Sequence, residues 1–378
     1  RADNMAEQII FKAENNYNQL QIYLNKIKVK NILLVCESFI SQLQINDWFK
    51  TLESSSEISL FRFSDFQTNP QYSSVVAGVE LFRQSKCDCI IAVGGGSAID
   101  VAKCIKLFSN MDPNKNYLDQ VIIPNNIKLI AIPTTAGTGS ESTRFAVIYY
   151  EETKQSISDD SCIPSFVLFD SSAINTLPAY YRKASMLDAL CHAIESFWSV
   201  NSTEESRKYS RQALQCILEN MDEYLRNDEI ANMFMLKAAN LAGRAINIAQ
   251  TTAGHAMCYK LTSFYGIAHG HACALCVAKL WGYMIDHGDE CIDPRGKLYL
   301  QRIFQDIADA MGCSAASEAP VIFQNILNRL ELPVPCPKEE DYFVLINSVN
   351  SVRMKNNPVK LSREAIDMIY HQILEGNY

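Results

Sequence analysis

Short β-rich runs recur through the first part of the chain, at Asn31–Cys36, Ile58–Phe63, Cys89–Val93 and Lys128–Ile132. Between them lie stretches whose apolar residues fall at helical spacing, such as Ser73–Gln84 and Ser97–Leu107. Strands that alternate with helices at this spacing need right-handed crossovers, which means a parallel sheet. That architecture is commonly used to bind nucleotides. A hairpin pattern follows, Phe145–Tyr150 and Lys154–Ser158 around Glu151–Thr153, and then a further strand at Phe166–Phe169. After Pro178 the β signal almost disappears, and long helical patterns take over at Lys183–Val200, Glu204–Leu225, Glu229–Ile248 and Arg295–Met311. The expected organisation is an α/β domain over residues 1–175 and an all-α domain over residues 176–378. There is no internal repeat and no low-complexity tract.

A length of 378 residues exceeds what one hydrophobic core usually serves, which agrees with two domains. An apolar fraction of 48% and a charged fraction of 20% are those of an ordinary folded protein. The net charge of −8 argues against nucleic acid as the partner, since that needs a concentrated cationic face. No run of about 18 apolar residues suggests a membrane span, and Arg1–Leu20 does not resemble a signal peptide. With 13 scattered cysteines and no export signal, reduced thiols in the cytoplasm are the expectation.

The run Cys89–Val93 leads directly into Gly94, Gly95, Gly96 and Ser97, where a helix is expected to begin. Glycines let the backbone approach a diphosphate, and the free amides of the helix start can hold it. Three glycines between a strand and a helix also suit a plain tight turn, and the spacing is not G-x-G-x-x-G. Glu37 ends the first of these strands. An acidic side chain there can bind ribose hydroxyls and repel a 2′-phosphate, so NADH is expected over NADPH, with a solvated strand-end glutamate as the plain alternative.

Asp188 and His192 are four residues apart in a helical segment, so they project from one face about a turn apart. Such a pair often forms only a helix-surface hydrogen bond. Yet four of the chain's 6 histidines are His192, His255, His269 and His271, while His287 and His371 have no such context. One aspartate and three histidines with room for water or substrate suit Fe(II) or Zn(II).

Four motifs occur in order: Gly94-Gly95-Gly96-Ser97-Ala98-Ile99-Asp100-Val101-Ala102-Lys103, Pro133-Thr134-Thr135-Ala136-Gly137-Thr138-Gly139-Ser140-Glu141, Asp188-Ala189-Leu190-Cys191-His192-Ala193-Ile194-Glu195 and His269-Gly270. In these the chain resembles the iron-containing alcohol dehydrogenase family. The resemblance runs from roughly residue 30 to 285. It implies a Rossmann-like N-terminal domain, a helical C-terminal domain of the dehydroquinate synthase-like architecture, and an active site in the cleft between them. It also implies that Asp188, His192, His255 and His269 hold the metal, and that Asn69, Asp100, Thr134, Thr135, Thr138, Ser140 and Lys154 join Glu37 and the glycine turn around the nicotinamide cofactor. Many members carry a histidine four residues after the third ligand, where this chain has Tyr259. Tyr259, a bound water or a ribose hydroxyl then becomes the proton source to consider.

Within the family, Ser140–Tyr149, Glu195–Ser206 and Ala245–Tyr259 most resemble the branch that reduces phosphonoacetaldehyde to 2-hydroxyethylphosphonate. Arg144 is then a candidate for the phosphonate, because a guanidinium fork matches a tetrahedral dianion, although a surface position or a pair with Glu141 would serve equally. The alternatives are a general dehydrogenase of uncharged short-chain alcohols and diols and, at a greater distance, a dehydroquinate synthase-like lyase. A small aldehyde or alcohol is the expected partner, with no nucleic acid or membrane, in a chain that could form a homodimer.

Overall fold

The apolar run Asn31–Cys36 forms an inner strand because β-branched and aliphatic side chains fill both faces of a covered sheet. A computed structural model of the chain describes residues 8–14, 16–55 and 57–375. Its contacts divide into two units, one built from the described residues up to Leu177 with Asn227–Asn240, the other from Pro178–Arg226 with the chain from Leu241 onward.

The first unit contains β1 (Ile9–Lys12), α1 (Asn18–Lys26), β2 (Asn31–Cys36), α2 (Ile45–Glu53), β3 (Ser59–Phe63), α3 (Tyr72–Gln84), β4 (Cys89–Gly94), α4 (Gly96–Phe108), β5 (Lys128–Pro133), the hairpin β6 (Phe145–Tyr150) and β7 (Thr153–Ser158), and β8 (Phe166–Phe169). Six strands form one sheet in the order β1-β8-β5-β4-β2-β3, and every pairing in it is parallel. From β2 the chain moves outward to β3, returns to β4 and continues to β5 on the other side. The topological switch therefore lies between β2 and β4, and ligands of open α/β sheets bind outside the carboxyl ends of such strands. Glu37 follows β2, and the glycine turn follows β4.

The edge strand β1, on the short apolar run Ile9-Ile10-Phe11, is not among the strands expected from the sequence. It is four residues long, mostly exposed, and held by one parallel partner, with the Phe11 ring 5.5 Å from that of Phe166. The hairpin turns through Glu151 and Glu152, both left-handed at φ 48° and 62°, so its turn is shorter than the expected Glu151–Thr153.

The second unit is helical: α5 (Ala179–Trp198), α6 (Glu204–Leu225), the end of α7 (Glu229–Ala249), α8 (Ala253–Tyr265), α9 (His269–Asp286), α10 (Lys297–Ala310), α11 (Glu318–Leu330), α12 (Glu339–Asn347), α13 (Ser351–Met354) and α14 (Arg363–Leu374). Helix α5 packs against α6 and α9, and α9 against α8. Thr203 and Ser206 close a reciprocal capping box that starts α6, at 3.1 and 2.8 Å. A division at residue 175 misses the return of Asn227–Asn240 to the first unit. There Asn232 bonds Asn175 at 3.1 Å, and the Asn240 carbonyl accepts from Ser142 at 2.9 Å. All thirteen cysteines are free thiols. Among the described residues no helix is long and apolar enough to cross a membrane.

Helix α4 is buried almost throughout and carries Lys103, which is fully buried. Its ammonium donates to Ser140 Oγ at 3.1 Å, Thr143 Oγ1 at 3.2 Å and the Phe145 carbonyl at 2.8 Å. Asp100, a turn earlier, accepts from Ser140 Oγ at 2.6 Å and from the Val147 amide at 3.0 Å. Together they pin the loop after β5 and the start of the hairpin onto α4. Lys103→Met keeps the stem but strands these acceptors beside a carboxylate, and is expected to cost on the order of 3 kcal/mol. The measurement is the urea midpoint, and a loss below about 1 kcal/mol would show that the loop does not depend on this ammonium.

Candidate functional site

In the first unit the glycine turn is shaped by close approach. A β-carbon at Gly94 would lie 2.5 Å from that of Ala98, and one at Gly96 would lie 3.0 Å from Thr138 Cγ2. Glu37, half-buried, accepts the backbone N–H of Gly95, while burial raises its carboxyl above the usual range. Thr135 borders Gly95, and the Thr134 amide donates to the Gly94 carbonyl at 3.0 Å. The Thr134 hydroxyl is buried with no hydrogen-bond partner in the protein, an open polar position beside this turn. The structure thus brings Glu37, Gly94, Gly95, Gly96, Thr134, Thr135 and Thr138 together, with Ser97 in the first turn of α4.

Other expected cofactor residues sit differently. Asp100 and Ser140 bond each other, and both Asp100 oxygens are already engaged within the protein. Burial raises the Asp100 carboxyl, with Lys103 and, more weakly, Lys154 on β7 opposing. Asn69 is left-handed at φ 58° in the loop before α3, which the Pro70 carbonyl joins to β6 through the Tyr149 amide at 2.8 Å. Arg144 immediately precedes β6, its guanidinium 4.7 Å from the Phe145 ring centre, and its carbonyl accepts from the Asp159 amide at 3.1 Å.

In the second unit Asp188 and His192 lie on α5, His255 in the first turn of α8, and His269 opens α9. Their side chains converge. The Nε2 atoms of His192, His255 and His269 lie 3.6, 3.4 and 3.6 Å from Asp188 Oδ1. Donors about 2.1 Å from one cation in a tetrahedral set stand roughly 3.4 Å apart, a spacing that this cluster fits. Asp188 Oδ1 is buried without a well-formed hydrogen bond, and the donor atoms of Asp188, His255 and His269 all lie within 4.8 Å of one another. A buried, unpartnered carboxylate oxygen ringed by imidazole nitrogens fits a divalent cation.

Sequence reasoning gave no role to Glu195, which organises this cluster. It lies seven residues after Asp188, two turns along the same helix, and that spacing beside a histidine-rich set is the signal that could have found it. One Glu195 oxygen contacts His255 Nδ1. The other accepts the Thr252 amide at 3.1 Å, the Thr252 hydroxyl at 2.7 Å and the His255 amide at 3.2 Å. Glu195 thereby caps α8 from outside while turning His255 Nε2 toward Asp188. Burial opposes its charge, but His255 and these hydrogen bonds prevail and lower its pKa to about 2. Asp188 is likewise held well below the usual carboxylate range, against its burial, by the three histidines. Burial lowers His192 to about 4 despite Asp188, leaving a neutral imidazole suited to ligation. His255, between two carboxylates, is raised in spite of burial. Removing His255 would therefore also strand a buried carboxylate, a stability cost that its role as a candidate ligand does not by itself reveal. Tyr259 follows His255 by one turn and stacks on His269 at 5.7 Å, and burial raises its phenol.

Comparison with known proteins agrees with this picture. The model of the iron-containing alcohol dehydrogenase family matches residues 6–171, and that of the Fe-containing alcohol dehydrogenase C-terminal region matches residues 183–374. The chain belongs to the iron-containing alcohol dehydrogenase family. It is 30% identical over 317 residues to a phosphonoacetaldehyde reductase of Streptomyces viridochromogenes, covering 80% of each chain. It is 33% identical over 360 residues to alcohol dehydrogenase 4 of Schizosaccharomyces pombe, covering 90% of this chain and 82% of the relative. A crystal structure of sulfoacetaldehyde reductase from Bifidobacterium kashiwanohense in complex with NAD+ shares the fold, with a TM-score of 0.87 at 23% identity over 99% of each chain.

Gly270 lets α9 start against α5. A β-carbon there would collide with the Ala184 carbonyl oxygen and lie 2.8 Å from Asp188 Cβ. Gly270→Ala is expected to push His269 off Asp188 and weaken Zn(II) binding at least about tenfold, as measured by chelator competition. Unchanged binding would mean that the first turn of α9 can shift without moving His269.

Proposed function

We propose that this chain reduces a small aldehyde to its alcohol with a nicotinamide hydride donor and a divalent metal, and that the aldehyde is phosphonoacetaldehyde, giving 2-hydroxyethylphosphonate. The observation that carries the catalytic reading is the buried Asp188 Oδ1, unpartnered and ringed by three imidazole Nε2 atoms. Asp188, His192, His255 and His269 would hold Fe(II) or Zn(II), which supplies Lewis acidity toward the aldehyde oxygen. A bound nicotinamide cofactor would supply the hydride.

The residues of the chain provide the rest. Glu195 fixes the tautomer and aim of His255. The amides at the start of α4 receive the cofactor diphosphate, with Thr134, Thr135 and Thr138 beside them. Glu37 orients ribose hydroxyls. Tyr259 keeps its phenolic proton through the neutral range and holds it at Oη for the alkoxide.

The substrate assignment is supported by the 30% identity to a named phosphonoacetaldehyde reductase and by Arg144, a cation matched to a phosphonate dianion. The higher identity to a yeast alcohol dehydrogenase supports the second reading, an uncharged alcohol as substrate. A lyase of the dehydroquinate synthase type would show no net NADH oxidation.

Two measurements test these readings. The metal-loaded protein should consume NADH with phosphonoacetaldehyde faster than with propanal, and Arg144→Ala should raise KM for the phosphonate alone, as the loss of a charge-assisted contact worth on the order of 1.5–3 kcal/mol. Equal losses on both aldehydes would make Arg144 structural, and faster propanal reduction by the wild type would favour the general dehydrogenase. Cofactor choice is read separately: kcat/KM should favour NADH over NADPH, and Glu37→Gly should narrow the gap. Equal efficiency with both cofactors in the wild type would remove Glu37 from the ribose.

A further inference from the structure

Helix α5 contributes more to the candidate centre than two ligands. Tyr180, Ala184, Asp188 and His192 recur at every fourth position and so lie on one stripe of the helix. Asp188 and His192 bring donor atoms, while the Ala184 carbonyl and the Asp188 backbone receive Gly270. Tyr180, about two turns earlier, reaches the start of α9.

The Tyr180 hydroxyl accepts the Ala268 amide proton at 2.8 Å and lies 3.0 Å from His271 Nδ1. A hydroxyl has one proton. With the His271 proton on Nε2, the hydroxyl proton points to Nδ1, and the chain of contacts runs from amide to hydroxyl to imidazole. Its two ends bracket His269 in the sequence, one residue before it and two after it. Ala268 caps α9 with no side-chain bond of its own, so this anchor comes from another helix. Glu195 does the same for α8 through the Thr252 and His255 amides. One helix thus fixes the starts of both helices that carry the other histidines.

His269 most needs such a device. Its side chain is 38% exposed, against 7% for His192 and 3% for His255, so packing confines it least.

We propose that Tyr180 is a positioning residue for the metal centre: its hydroxyl locks the first turn of α9 to α5 and thereby sets the reach of His269. The inference rests on the metal-binding reading above. It predicts that the hydroxyl matters to the bound cation far more than to the fold, because the Tyr180 ring keeps its contacts with Tyr181 at 5.3 Å and His271 at 5.9 Å when only the oxygen is removed.

The test is Zn(II) affinity of the full chain by competition with a chelator, for the wild type, Tyr180→Phe and His271→Gln, together with thermal unfolding of the metal-free proteins. Tyr180→Phe should bind Zn(II) about tenfold more weakly and alter the visible spectrum of the Co(II)-loaded protein, with the metal-free midpoint unchanged. His271→Gln, whose amide oxygen can take the hydroxyl proton, should stay within about threefold of the wild type. Wild-type affinity in Tyr180→Phe overturns the proposal, as does a matching fall in the metal-free midpoint, which would make the hydroxyl a support of the fold. Failure of the wild type to bind one Zn(II) would instead overturn the centre itself, and is seen without any variant.

Discussion

A carboxylate oxygen buried without a partner is costly, and Asp188 Oδ1 is in that position with three imidazole nitrogens around it. The surrounding sequence choices make sense as answers to that cost. Glu195, fully buried and held in its charged form, brings a second negative charge to the same cluster. With all three imidazoles neutral, as ligation requires, one divalent cation would balance the two carboxylates. Buried like charges tolerate each other only when such a counter-charge is available. The centre thus constrains α5, α8 and α9 together, since none of the three helices holds the full donor set.

The first unit meets a different demand. Its strand order switches sides between β2 and β4, and the turn after β4 needs glycine because Ala98 and Thr138 crowd it. Further along α4, Lys103 donates to Ser140 and Ser140 to Asp100, a chain of hydrogen bonds that holds the loop after β5. The motif residues there divide by physical role. Thr134, Thr135 and Thr138 border the glycines, whereas Asp100 and Ser140 are already committed to each other and to β6. A motif read as one binding surface is therefore partly a foundation for that surface.

Most of the sheet was legible in the sequence because an inner parallel strand is apolar on both faces, as in Cys89–Val93, and cannot be taken for a loop. The converging cluster was legible too, through the i, i+4 pair on α5 and the crowding of histidines around His255 and His269. The edge strand β1 was not, because the three apolar residues Ile9-Ile10-Phe11 are too short a run to mark a strand, and it depends on β8 for its pairing. Nor was the return of Asn227–Asn240 to the first unit, because a buried apolar stripe such as Ala231, Met235 and Ala238 marks a helix without saying which unit it joins. Glu195 was in plain view within a quoted motif, yet its role requires knowing that α8 begins at Ala253, where its carboxylate meets the Thr252 and His255 amides.

The far nitrogens of the three imidazoles carry the argument one step further. His255 Nδ1 faces the Glu195 carboxylate, His269 Nδ1 lies 3.7 Å from the Cys258 sulfur, and His192 Nδ1 is buried with no hydrogen-bond partner in the protein. A partner that accepts the far N–H raises the basicity of the ligating nitrogen, and a carboxylate does so more strongly than a thiol. As ligands of a cation the three would be graded, with His255 the strongest electron donor and His192 the weakest. The exposed His269 falls between them, tied by a soft contact to Cys258 and by its neighbours to Tyr180. A centre built this way has one rigid, charge-supported ligand and one that owes its position to the start of a helix, so its geometry is most sensitive where α9 begins.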